Sequence, residues 1–251
     1  MSATIQLKFG SLALDSTNNI TIAKISEKSA KPVQPTAMPC TDGAIAETAR
    51  IGPKTISIEG DICGTSYDNL RTNLDALHAG LLNGLQKLTK DNERYITCQL
   101  KDFSYSYDHM TRRATWTAAF VAHFPFWIAE GATTDTRSPS SGTGYTLANT
   151  GNAPARIKIT VTPVTDMADD CQLENTTNGQ QCRYRGTVVG GKVLEIDNRY
   201  DTDDFQVLND GVDDIANFEG DFLELASGNN TFEFTGGGTP AITVTYRYCW
   251  Y

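Results

Sequence analysis

The chain has 251 residues, of which 20% are charged and 39% hydrophobic, the balance of a folded protein rather than a disordered one. That length holds one large β domain or two ordinary ones, and it contains no run of 18 apolar residues, so no membrane-spanning helix is expected. The net charge is −9. Residues 1–144 hold 14 basic and 14 acidic side chains, whereas residues 145–251 hold 7 basic and 16 acidic, so the second part carries all of it. An acidic half without a basic patch is poorly suited to gripping nucleic acid.

The start, MSATIQLKFG, lacks the basic and apolar regions of a secretion signal, which predicts a protein that stays in the cytosol while it folds. Ile5, Leu7 and Phe9 alternate with polar residues as in a half-buried strand, and Ile20 and Ile22 begin a second. From Ser26 to Arg50 periodicity fades, with Pro32, Pro35 and Pro39 punctuating the run and a turn expected at Thr41-Asp42-Gly43. Two readings stand there: a surface loop, or an arm or long hairpin that reaches a neighbouring subunit.

Ile56, Ile58, Gly60 and Ile62 form a strand that leads into the strongest signal of the chain. Leu70, Leu74, Leu77 and Leu81 recur at spacings of four, three and four, one face of an α-helix. Thr65 and Ser66 offer cap hydroxyls, Asp68 sits in the first turn, and Gly84 suits the position after the last, so a helix over Tyr67–Asn83 is expected. Burying four leucines contributes roughly 6–12 kcal/mol as an upper bound. An isolated helix of this length is marginal in water, so the stripe must lie on a sheet.

Leu85–Thr89 and Arg94–Leu100 read as a hairpin around Lys90-Asp91-Asn92-Glu93, and Ala114–Val121 as a strand with Trp116 and Phe120 on one face. Phe124-Pro125-Phe126-Trp127 stops that strand. Residues 131–144, GATTDTRSPSSGTG, have the composition of a linker. The expected organisation is therefore mainly β: an N-terminal β-sandwich or barrel with one packed helix over 1–130, a linker over 131–144, and a C-terminal β-sandwich over 145–251. Within the last, Arg156–Thr162 alternates; Tyr184–Val189 and Lys192–Ile196 flank Gly190-Gly191 as a hairpin; Gln206–Leu208 is a short strand; Phe222–Leu225 is another, ending at Ser227–Asn230; Thr231–Phe234 follows; and Ala241–Trp250 closes the chain.

No catalytic constellation emerges. His78, His109 and His123 have no partner at triad or metal spacing, and nucleophile-elbow, P-loop and zinc-protease motifs are missing, so neither enzymatic activity nor a cofactor is expected. The run Asp197–Asp214 holds seven aspartates: Asp197, Asp201, Asp203, Asp204, Asp210, Asp213 and Asp214. Its spacing fits no EF-hand, and solvated loops or a calcium site both remain readings. Cys40, Cys63, Cys98, Cys171, Cys182 and Cys249 lack a CxxC, so a common zinc site is not expected; Cys171 and Cys182 either bridge a hairpin or, like the others, are buried thiols. Of the late aromatic residues, Phe218, Phe222, Tyr246 and Tyr248 fit core positions on strands, whereas Trp250 and Tyr251 have no core assignment and are the ones left to stack on a sugar.

The order of these features resembles the distal tail protein family of long-tailed, non-contractile phages. The strand Ile56–Ile62, the leucine-striped helix, Gly84, the hairpin and the Phe124-Pro125-Phe126-Trp127 cluster carry the first part of the likeness. Asn149–Ala155 leading into Arg156–Val161 looks like the opening of the family's second domain, and Leu194–Asp197, Asn209-Asp210-Gly211, Phe222–Leu225, Gly228-Asn229-Asn230 and Tyr246-Arg247-Tyr248 complete it. The resemblance implies a structural protein of the virion tail, assembled in the bacterial host cytoplasm. It implies a homo-hexameric ring between the tail tube protein and the tip or baseplate hub protein, through which DNA passes without specific binding. A galectin-like second domain would then point outward toward receptor-binding proteins, side fibres or sugars. The rival readings are a tail tube subunit or other tip component, and a free carbohydrate-binding β-sandwich.

Overall fold

The computed structural model describes residues 6–29, 35–37, 44–46, 51–108, 110–168, 171–200, 205–237 and 240–251. The chain divides into two compact units, Met1–Trp127 and Ile128–Tyr251.

The first unit contains β1 (Leu7–Phe9), β2 (Leu12–Ala13), β3 (Ile20–Ser29), β4 (Pro35–Ala37), β5 (Ala44–Ala46), β6 (Lys54–Cys63), α1 (Tyr67–Leu81), β7 (Gln86–Lys90), β8 (Arg94–Asp108) and β9 (Arg113–Ala122). Its strands run in the order β2-β1-β7-β8-β9-β6-β3. The long strand β8 belongs to two pairings: Cys98 faces Gln86 on β7, and Gln99 faces Val121 on β9. The two parts of the sheet close on each other through Phe9 and Phe120, whose ring centroids are 5.0 Å apart. Strand β6 alternates perfectly, with Ile56, Ile58 and Ile62 fully buried. Gly60 belongs to the same face; a Cβ there would come within 2.5 Å of the Thr21 carbonyl and 3.0 Å of Trp116, so glycine makes room for the indole.

The leucine stripe seals α1 onto this layer, with Leu70, Leu74, Leu77 and Leu81 between 0% and 2% exposed. Ser66 Oγ accepts from Asn69 N at 3.1 Å, and Asn69 Oδ1 accepts in return from Thr65 N at 3.0 Å. The helix ends two residues earlier than the spacing predicts: Leu82 is the C-cap, and Gly84 takes φ +72° as the chain turns into β7. Asp91 and Asn92, both at positive φ, make the expected hairpin turn. The segment Ser26–Arg50 is neither wholly a loop nor wholly outside the sheet. Ser26–Ser29 complete β3, and β4 pairs antiparallel with β5. The expected turn Thr41-Asp42-Gly43 lies outside the described residues.

The second unit begins within β10 (Trp127–Ala129) and continues with β11 (Thr133–Arg137), β12 (Thr143–Asn149), β13 (Ala155–Thr162), β14 (Cys171–Asn175), β15 (Gln180–Tyr184), β16 (Leu194–Asp197), β17 (Gln206–Asn209), β18 (Val212–Asp213), β19 (Phe218–Gly220), β20 (Glu224–Leu225), β21 (Gly228–Thr235), β22 (Ala241–Tyr246) and β23 (Cys249–Trp250). One sheet has the order β11-β22-β13-β16-β17-β18 and the other β12-β21-β14-β15-β19. Their buried residues alternate: Ile157, Ile159, Val161, Ile242 and Val244 from one sheet, Leu173, Tyr184, Phe232 and Phe234 from the other.

Three expectations need correction. Residues 131–144 are not a bare linker, because β11 pairs with β22 along five positions, with Thr136 and Thr243 hydroxyls 3.0 Å apart. An edge strand needs backbone partners more than apolar side chains, so its composition reads as a connection. Gly190-Gly191 does not close a hairpin. Tyr184 pairs with Cys171 and Phe218, Leu194 pairs with Val161 and Asn209, and these lie in different sheets. The hairpin is β14–β15 instead. Finally, Ser227–Asn230 does not separate the Phe222–Leu225 strand from one starting at Thr231: β21 already starts at Gly228, and only Glu224–Leu225 of the preceding stretch bridges to β13.

That preceding stretch is held by side chains. Asn198 Nδ2 donates to Leu223 O at 3.2 Å, Asn175 Nδ2 to Glu224 O at 2.8 Å, and Asn149 Nδ2 to Leu225 O at 3.3 Å. Asn230 both donates to Ala226 O and accepts from Ala226 N, each at 2.8 Å. Four asparagines, all at most 3% exposed, thus serve four successive backbone residues.

Candidate functional site

The residue types able to do chemistry are dispersed. The His78 ring stacks on Phe103, with centroids 4.8 Å apart and planes 20° apart, as a flank of the packed helix. His123 Nε2 lies 3.3 Å from Gln99 Nε2, and His109 is outside the described residues. Of the described histidines, neither is brought to a second acid, base or nucleophile by these contacts.

The carboxylates of the acidic run serve separate local contacts. Asp197, nearly buried, is gripped by Arg199, with Nη2 2.9 Å from Oδ2. Asp210 pairs with Lys192 at 2.9 Å. Asp213 accepts from Ile215 N at 3.3 Å. Asp214 accepts from the Tyr184 hydroxyl and, at 2.8 Å, from Asn217 Nδ2. Burial, and then the neighbouring Asp214, pushes the Tyr184 phenol up to about 12. Asp201, Asp203 and Asp204 lie outside the described residues. Among the described residues no group of three or more His, Cys, Asp or Glu side chains converges as a metal cage.

The cysteines are placed as packing residues, apart from Cys63, which is exposed; Cys40 lies outside the described residues. Cys171 faces Tyr184 and Cys182 faces Leu173, so the two thiols are diagonal on the β14–β15 hairpin, not opposite, and no disulfide joins them. Burial pushes the thiols of Cys98 and Cys249 up to about 12 and that of Cys182 higher still. Such thiols are poor nucleophiles.

The late aromatic residues divide. Tyr246 is buried and its hydroxyl donates to Ala148 O at 3.0 Å, tying the two sheets. Phe218 and Phe222 are only half-buried. They continue a row of rings with the exposed Phe205, at centroid spacings of 4.6 and 4.8 Å, where both were expected in the core. Arg156 lies over the rings of Tyr200 and Phe205, at 4.6 and 5.3 Å. Phe205 lies within the aspartate run in sequence, which hides its membership of this row. Trp250 is half-buried and Tyr251 is 53% exposed.

The chain thus presents two β-rich units, the first a sheet with one packed helix, the second a two-sheet sandwich. Residues 150–250 match the family model described as the siphovirus-type tail component, C-terminal domain. The fold of the whole chain is similar to that of the Dit protein (gp 19.1) of phage SPP1, described as a paradigm of the hub adsorption apparatus in phages infecting Gram-positive bacteria. The TM-score is 0.77 and the identity 12%, over 98% of this chain and 99% of that one. Two structures of the phage p2 baseplate in its activated conformation, with Ca and with Sr, align at a TM-score of 0.46 and 12% identity over 96% of this chain and 97% of theirs, an overlap that adds no weight. No curated protein matches the chain in sequence. The resemblance to distal tail proteins and the mainly β fold read from the sequence are both borne out.

Proposed function

We propose that this protein is a structural, non-catalytic component of a phage tail. It forms a hexameric ring at the distal end of the tail tube, joined to the tube protein on one side and to the tip or baseplate hub on the other. The observation that carries this reading is the combination of the tail-component domain over 150–250 with a fold like SPP1 Dit along nearly the entire chain. The division into two units suits it, with the first unit making the ring and the second offered outward to fibres or receptor-binding proteins. Residues 1–144 balance 14 basic against 14 acidic side chains, which suits a passage that lets DNA slide without holding it. The acidic second part keeps an outward surface soluble.

Native mass measurement with electron microscopy of the purified full chain tests the reading. The expected result is six-copy rings, single or paired. Long tubes would make it a tail tube subunit. A lone copy at every concentration, with glycan binding lost on changing Trp250, would make it a carbohydrate-binding module.

A further inference from the structure

The sequence contains two Asn-Gly pairs, Asn83-Gly84 and Asn178-Gly179. The first joins α1 to β7 and the second joins β14 to β15. Both asparagines are exposed, and the glycines take φ +72° and +71°. A Cβ on either glycine would meet nothing within 4 Å, so both turns have open space around them. In local sequence and exposure the two pairs are near copies.

Their hydrogen bonds differ. The Asn178 side chain is fixed at both polar atoms. Its Nδ2 donates to Gln180 Oε1 at 2.9 Å and to Glu224 O at 3.0 Å, and its Oδ1 accepts from Gln180 N at 3.2 Å. Gly179 N donates to Asn175 O at 2.9 Å. Asn83 follows Leu82, the C-cap of α1. Among the described residues no hydrogen bond reaches its side chain; its backbone carbonyl accepts from Gln86 Nε2 at 3.1 Å. Gly84 N donates to Leu82 O at 2.8 Å, closing a turn of three residues. That closure is more bent than the longer one at Gly179, and bent hydrogen bonds are weaker.

An unheld asparagine before glycine reacts with its own backbone. The Gly84 nitrogen loses its proton and bonds to Asn83 Cγ; the Cγ–Nδ2 bond breaks, and Nδ2 leaves as ammonia with that proton. The succinimide ring then takes up one water from solvent. Opening at Cγ gives aspartate. Opening at the Asn83 backbone carbonyl gives isoaspartate, whose main chain runs through Cγ. Glycine favours ring closure because no Cβ restricts the approach of its nitrogen. At Asn178, three hydrogen bonds must first be given up.

We propose that Asn83 is a deamidation site, and that Asn178, with the same neighbour in sequence, is protected by its hydrogen bonds. Conversion adds a carboxylate just past the C-terminal end of α1, where the helix dipole disfavours negative charge. Isoaspartate also lengthens the Leu82–Leu85 link between α1 and β7 by one main-chain atom.

The test is ageing of the full chain at mildly alkaline pH, which helps the glycine nitrogen to lose its proton. Peptide mapping by mass, with an enzymatic assay for isoaspartate, follows both sites. In the folded protein Asn83 should convert at least tenfold faster than Asn178. In guanidinium chloride strong enough to unfold the chain, the two rates should converge, because only the shared Asn-Gly sequence then acts. Equal rates in the folded protein, or no conversion at Asn83, overturns the assignment. A difference that persists after unfolding also overturns it, because the selectivity would then lie in the sequence and not in the hydrogen bonds.

Discussion

The two units hold a segment against a β-layer by opposite means. In the first, α1 is fixed by four leucines, none more than 2% exposed. In the second, residues 223–226 form almost no regular structure and are fixed by the amides of Asn149, Asn175, Asn198 and Asn230. The apolar contact is non-directional and scales with area. The amide contact is directional, and its cost appears when one partner is removed and the other stays buried. A helix satisfies its own backbone and needs only a greasy face. A buried irregular segment must find a partner for every carbonyl and N–H, and here the neighbouring strands supply them as side chains.

The contrast should appear most strongly in Leu77→Ala. Removing this buried side chain leaves a cavity under α1, and urea denaturation should show the first unit's transition weakened by about 2–5 kcal/mol. Leu77→Met should restore most of it, because volume is what matters at that position. In the second unit, Asn175→Ala removes one of the two donors to the Glu224 carbonyl, leaving Asn178 Nδ2, and one of the two donors to Asn230 Oδ1, leaving Ala226 N, and should weaken that unit's transition by about 1–3 kcal/mol. There Asn175→Leu should not rescue, although it fills the space, since shape without the amide leaves the same two hydrogen bonds unmade. Equal rescue by Leu would erase the distinction drawn between the units.

The smallest effect is electrostatic and belongs to the outer face of the first unit. The Arg113 guanidinium bonded to Asp61 holds the Asp61 carboxyl below the ordinary carboxylate value. The unfolded chain therefore takes up that proton first. The stabilising contribution is complete above the unfolded value, near pH 4, and fades as pH falls through the folded one. Melting temperatures of the wild type and Asp61→Asn should differ at pH 7 and converge toward pH 3. A gap that persists unchanged in acid would mean that Asp61 acts by packing rather than by charge.

Much of the first unit was legible because its signals are local and repeat. The helix stripe, its Ser66 cap, the Asp91-Asn92 turn and the alternation of β6 all depend on residues within a turn or two of each other. The second unit was legible strand by strand but not in its pairing. Gly190-Gly191 looks like a hairpin turn, yet its flanks pair with β14 and β13 in different sheets. The polar strand β11 reads as linker because what holds it is β22, more than a hundred residues away. The two Asn-Gly pairs look alike in sequence, and the Glu224 carbonyl that helps to hold Asn178 lies far along the chain.

By itself the sequence determined that the chain is β-rich, that a single long amphipathic helix must lie on a sheet, and that the negative charge gathers in the second part. These follow from periodicity and composition, which neighbouring residues set among themselves. Only the tertiary structure decided which strands meet, that four distant asparagines converge on residues 223–226, and which of the two Asn-Gly pairs is held. Those outcomes depend on direction and distance between residues far apart in the chain, and hydrogen-bond partners are chosen by where the fold puts them rather than by what precedes them.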